Sequence, residues 1–233
     1  MRFQKLDILR GIAIILMVAF HANYLLVHFF GNTALNISIL WYIAGKFSVI
    51  LFLFVSGVSF FLSIQGKTKQ EIRYKSLKRA LFLTIIAAGI SIVTFFFARS
   101  EFITFGIIHL FAAISLLSPL FMRFRVWNVL IGMLIIAIGV WFSKIYVDNG
   151  FLFFLGLRSL TFSSGDYYPV FPWFWVMLVG YGIASLLSRK DRLQKLLSWE
   201  ISWGKILWFM GRNALIIYII HVPILYAIFL TFR

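Results

Sequence analysis

The sequence contains no cysteine, which excludes thiol nucleophiles, disulfides and thiolate metal sites and leaves the redox compartment unread. Charge is scarce too: only 12% of residues are Asp, Glu, Lys or Arg, and 7 acids face 22 bases. With 62% hydrophobic residues and a mean hydropathy of +0.98, the chain exceeds the apolar fraction of any ordinary soluble globule. No internal repeat or low-complexity tract is visible and all but one connection is short, so residues 1–233 read as a single domain. The net charge of +15 does not point to nucleic acid, because no soluble module interleaves basic and aromatic residues.

What is present is a series of apolar runs of membrane length. Taking about 20 apolar residues as a span, the sequence predicts an all-α polytopic membrane protein with a bundle of about seven helices, at 8–30, 39–64, 80–98, 104–122, 127–147, 170–187 and 206–232. The first run exceeds a typical signal core and lacks a small-residue cleavage site, so it is expected to stay as a helix. On this topology 17 of the 22 Lys and Arg fall on one side, with Lys46, Arg99, Lys144, Arg158 and Arg233 on the other. The positive-inside rule then predicts a cytoplasmic N-terminus, an outer C-terminus and a multi-pass protein of the plasma (cytoplasmic) membrane. Basic residues so placed also attract anionic membrane lipids.

Two segments depart from plain spans. The fifth connection, 148–169, holds FLFFLGLRSL, too short to cross and too apolar for water, and is expected to form a short interfacial or re-entrant helix before the turn-prone SSGDYYP. The second helix carries Ser48, Ser56, Ser59 and Ser63 within about 80° of arc, a face suited to close helix packing.

The first helix carries the strongest functional signal. At 100° per residue Asp7, Arg10, His21 and His28 lie within about 60° of one another, with Ile14 and Leu25 between them. Hydrocarbon does not accept such a stripe, so it faces the protein interior or a polar path. Asp7 and Arg10, at i, i+3 near a helix end, also make sense as a salt bridge with a snorkelling arginine. On the predicted topology His21, His28, His109 and His221, the whole histidine complement, share the outer half of the membrane, with Asp166 just ahead of the sixth span. A histidine is the usual proton carrier near neutrality. Each also has a plainer reading, an interfacial side chain for His28 and helix-bridging hydrogen bonds for His109 and His221. A metal is not expected, since the histidines lack metal-ligand spacing.

These residues carry a resemblance. LDILRGIAIILMVAFHA resembles the opening of membrane acyltransferases, in which an Arg near the cytoplasmic end is followed eleven residues later by a His, as with Arg10 and His21. FGIIHL around His109, DYYPVFPWFWVMLVGYG from Asp166 and GRNALIIYIIHVPIL from Gly211 resemble the family of the heparan-α-glucosaminide N-acetyltransferase catalytic domain. The resemblance implies acetyl-CoA as cytoplasmic donor, a sugar or glycan amine or hydroxyl as outer acceptor, and a catalytic histidine near the outer end of the first helix, a position matched by both His21 and His28. It implies His21 or His28 as general base with Asp166, phosphate contacts from Arg10, Lys78, Arg79 and Arg212, and acceptor contacts from His109 and His221. A transporter or flippase, a non-catalytic membrane subunit and an O-acyltransferase of cell-envelope glycan stay open beside it, as does a homodimeric state; the larger O-acyltransferases have more helices than this chain supplies.

Overall fold

A computed structural model describes residues 3–31, 38–147, 151–189, 191–198 and 204–231. The described residues are helical apart from turns and two isolated bridges: α1 Gln4–Phe30, α2 Ser38–Ile64, α3 Lys69–Phe97, α4 Ile107–Phe121, α5 Asn128–Phe142, α6 Val170–Ser188, α7 Arg192–Ser198, α8 Lys205–Arg212 and α9 Ala214–Thr231. Six segments among them are long and apolar enough to cross a membrane, so this is a multi-pass membrane protein. Internal contacts group into two compact units, Met1–Val55 with Leu187–Arg233, and Ser56–Leu186.

In the first unit α1 packs on α8 and α9. Along the stripe of α1 Asp7 and Ile14 are completely buried and Leu25 nearly so, Arg10 and His21 are half-buried, and the His28 side chain lies outside the described residues. The small-residue face of α2 begins here, where Ser48 Oγ donates to the Ala13 carbonyl at 2.8 Å. The crossing of α1 and α8 is closer still: a Cβ on Gly11 would run into the carbonyl of Leu207, and one on Gly211 into the carbonyl of Asp7. Only glycine lets two helix backbones touch in this way.

The expected last span, 206–232, is two helices. Asn213 has non-helical φ −104° and ψ 17°, its N–H bonds back to Phe209 and Met210, and its side chain bonds to Phe209. An asparagine whose amide serves a helix C-terminus ends α8, and α9 starts afresh.

In the second unit α3 starts eleven residues before the expected 80. Its N-terminus is a capping box: Thr68 Oγ1 accepts from the Glu71 N–H at 3.3 Å while the Glu71 carboxylate accepts from the Thr68 N–H at 2.8 Å. The exposed basic residues of this first stretch surround buried Ile72 and Ser76, so the expected connection is an amphipathic helical extension.

The fourth apolar segment, Ile107–Phe142, is 36 residues long, about 54 Å if straight and far beyond a bilayer core. It folds back at Arg125, whose φ 45° and ψ −116° break the helix. Along α6, contacts of α4 and its end advance from Tyr167 through Met177 to Tyr181, paired with Phe105, Ser118 and Met122. Those of α5 retreat, Gly139 on Pro172, Gly132 on Trp175 and Gly182 on Val129. The two helices are therefore antiparallel. Buried Asn128 fastens the turn, its amide donating to the carbonyls of Phe121 and Arg125, each at 3.0 Å.

The loop that follows α5 forms no α-helix among its described residues. Phe153–Leu155 is one 3-10 turn, Gly156 at φ 111° reverses the chain, and a bridge joins Tyr146 to Arg158. The expected interfacial helix is absent there because aromatic packing and side-chain hydrogen bonds satisfy the segment without a ladder: Phe153 stacks on Phe162, and Tyr167 donates its hydroxyl to the Phe153 carbonyl at 2.7 Å.

Candidate active site

In the first unit α1 and α9 bring two histidines together. The rings of His21 and His221 meet edge to face with centroids 4.8 Å apart. His21 Nδ1 lies 2.9 Å from the Met17 carbonyl and His221 Nδ1 lies 2.7 Å from that of Tyr218. A carbonyl only accepts, so each Nδ1 carries the proton and each Nε2 is left as a bare lone pair. The Nε2 of His221 is buried and has no hydrogen-bond partner among the described residues. An orphaned buried acceptor is costly and calls for a donor that comes and goes, such as a substrate hydroxyl, an amine or a proton shared with the neighbouring ring. His28 belongs to α1, but its side chain lies outside the described residues.

Toward the start of α1, Arg10 Nη1 and Asp7 Oδ1 form a salt bridge of 2.6 Å, with the Asp7 side chain fully buried and that of Arg10 26% exposed. Arg10 thus spends part of its guanidinium neutralising a carboxylate beneath the α1–α8 crossing. Arg212, at the end of α8, lies over the indole of Trp208 at 4.7 Å.

His109 and Asp166 meet in the second unit, at the N-terminus of α4. Asp166 Oδ2 accepts from the Ile107 N–H at 3.0 Å, a carboxylate supplied from a distant loop to the positive end of a helix. His109 Nδ1 accepts from the Gly106 N–H at 3.2 Å, which fixes its proton on Nε2, facing Ser91 Oγ at 3.2 Å; Ser91 in turn donates to the Ile103 carbonyl at 2.7 Å. Both ring nitrogens of His109 are engaged. The loop is sewn to the same place by Gly165 N–H to Phe102 and Tyr168 N–H to Phe105, at 3.1 and 3.0 Å. Tyr167 beside it has its phenol pushed up to about 12 by burial, against the opposing pull of Arg158.

The sequence missed a pocket in the same unit. The ends of α2 and α3 and the middle of α4 enclose about 40 Å³ lined by Ser56, Ser63, Lys67, Lys75, Ser76 and Arg79 with apolar neighbours. Of the residues expected to hold phosphate, Arg79 lines it, whereas Lys78 does not. Two serines read as packing residues of α2 line it as well. The missed signal was the TKQE capping box, which extends α3 far enough to carry Lys75 and Arg79, one turn apart, on the same face.

No group of three or more His, Asp or Glu able to hold a metal is found among the described residues. No curated protein and no solved structure matches the chain. A family model described as heparan-alpha-glucosaminide N-acetyltransferase, catalytic, matches residues 2–223, a stretch that runs from the start of α1 past His221 and includes both histidines of the pair. The chain belongs to that family of membrane acetyltransferases.

Proposed function

We propose that this protein transfers an acetyl group from acetyl-CoA, taken up at its basic face, to an amine or hydroxyl of a sugar or glycan on the opposite side of the membrane, with His21 as general base and His221 as its partner. The observation that carries this reading is the edge-to-face pair of His21 and His221, both held through Nδ1 with Nε2 presented, in a chain of an acetyltransferase family.

The chemistry balances within that pair. As the acceptor nitrogen or oxygen attacks the thioester carbonyl, His21 Nε2 takes its proton; the C–S bond then breaks, and the imidazolium returns the proton to the departing thiolate, giving CoA. His221 Nε2 accepts a hydrogen bond from the protonated His21 and so steadies the charge in a site with few other polar groups. Arg10, Lys78, Arg79 and Arg212 draw the donor phosphates to their membrane face. Asp166 and His109, which tie the outer loop to α4, hold in shape the loop over which the acceptor arrives.

We read the antiparallel α4–α5 hairpin as two crossings, which makes seven in all and puts the termini on opposite sides, the N-terminus in the cytoplasm by the distribution of Lys and Arg. The donor and the acceptor then come from different compartments. In sealed vesicles of known orientation, acetyl-CoA supplied only on the N-terminal side should acetylate an amino sugar confined to the other side. Product that appears only when both substrates share a compartment would defeat the cross-membrane reading. Because the chain has no cysteine, thiol reagents report released CoA without background from the protein itself.

A further inference from the structure

The pocket between α2, α3 and α4 is lined by no residue given a part in proton transfer. Its lining gathers three cations, Lys67, Lys75 and Arg79, and no acid. Lys75 feels the charges of both Lys67 and Arg79. All three are exposed, so water screens much of their repulsion, and an anion held between them would relieve the rest. Glu71, the acid nearest in the chain, bears on Lys67 from outside the pocket lining, its carboxylate committed to the Thr68 N–H and hydroxyl at 2.8 Å each.

The serines supply an independent observation. Ser63 and Ser115 spend their hydroxyls on carbonyls within their own helices, at 2.9 and 2.7 Å. Ser76 does not. It is 93% buried by its 7% exposure, lines the pocket, and makes no hydrogen bond among the described residues. A helical serine usually returns its hydroxyl to the preceding turn, so one that lines a basic pocket with its hydroxyl uncommitted is free to donate to a guest there. The volume limits the guest. A water needs about 10–15 Å³ of such space, so the pocket's 40 Å³ has room for one tetrahedral oxyanion.

We infer that the Lys67, Lys75, Ser76 and Arg79 pocket is a phosphate-binding subsite. The lysines and Arg79 supply charge and Ser76 a directed hydrogen bond, a combination that recognises the phosphate group rather than what bears it. The bearer is either the CoA donor, in which case this inference rests on the acyl-transfer reading, or the headgroup of an anionic lipid.

The test uses the full chain in nanodiscs of phosphatidylcholine, with CoA titrated by calorimetry, and in nanodiscs doped with phosphatidic acid, with retained lipid counted by native mass spectrometry. Lys67→Ala/Lys75→Ala should lower one of these two affinities by tenfold or more and Ser76→Ala by several-fold, while Arg73→Ala, which removes a cation of the same helix from outside the pocket, leaves both unchanged. A loss in the CoA arm assigns the subsite to the donor, and a loss in the phosphatidic acid arm assigns it to lipid. Lys75→Glu, expected to abolish the same binding, guards against a silent alanine variant. If every pocket variant binds both probes as Arg73→Ala does, the inference is overturned. Intact phosphate binding in a protein that never releases CoA from acetyl-CoA would instead remove the acyl-transfer reading and leave the subsite standing.

Discussion

The imidazole of His221 stands edge-on to that of His21, 4.8 Å between centroids, and each ring is anchored by its Nδ1 to a carbonyl of its own helix. Removing either ring has a different consequence. His21→Ala is expected to lower CoA release by about 10²–10⁴-fold, the range for loss of a general base, with little change in melting temperature. His221→Ala should lower kcat less, by about tenfold, and shift its pH profile, because His21 loses the neighbour that steadies its protonated form. His28→Ala should do less than either. If His28→Ala is inactive and His21→Ala active, the base has been misassigned.

The salt bridge of Arg10 with Asp7 makes a prediction that separates folding from donor binding. Arg10→Ala leaves a fully buried carboxylate without its 2.6 Å partner and is expected to destabilise by about 2–3 kcal/mol, less than for a wholly buried pair because Arg10 is partly exposed. Asp7→Asn/Arg10→Ala should recover most of that loss in thermal unfolding. CoA affinity that stays low in the stabilised double variant identifies Arg10 as a phosphate ligand. Affinity that returns with stability makes its part structural.

Where α1 crosses α8 the backbones leave no room for a methyl group. Gly211→Ala and Gly11→Ala are each expected to cost about 1–3 kcal/mol or more, through collision with Asp7 and Leu207 respectively. Gly89→Ala, where nothing lies within 4 Å of the added carbon, is the control and should be neutral or stabilising. Equal melting temperatures for all three would contradict the crossing.

Tyr167 ties stability to alkaline pH. Its phenol ionises at about 12 in the folded chain and at about 10 when unfolded. The unfolded state therefore loses its proton first. The stabilisation is complete below pH 10 and fades as pH rises through 12. Thermal unfolding followed from pH 9 to 12 should fall more steeply in the native chain than in Tyr167→Phe. Parallel curves would show that burial of the hydroxyl contributes nothing.

How far the sequence could be read depended on whether the deciding interaction was local. α2 and α6 lie within a residue of their expected ends, because an unbroken apolar run bounded by polar turns leaves few choices. The inward stripe of α1 was legible from helical periodicity alone. The start of α3 is hidden from an apolar count because its first residues are rich in Lys and Arg, and only the capping box marks it. The break at Asn213 was hidden by apolar sequence on both sides. The site divides likewise: His21 and His221 were each legible as buried ionisable groups, but their meeting depends on how α9 lies against α1. The Lys67–Lys75–Ser76 pocket was invisible because the hydroxyls of α2 look like packing until α3 is laid beside them.

The glycine contact of α1 and α8 sets a length scale for the chemistry. His21 stands ten residues beyond Gly11, and His221 ten beyond Gly211. At 1.5 Å per residue α1 carries the His21 imidazole about 15 Å from Gly11, and α9, which starts after Asn213, carries that of His221 to the same place. The first unit is thus a pair of dividers, hinged where two backbones touch and closed where two rings meet, with the joint at Asn213 setting the opening. A residue inserted into either arm would lengthen it by about 1.5 Å and swing its ring by about 100°, so the tips would no longer meet.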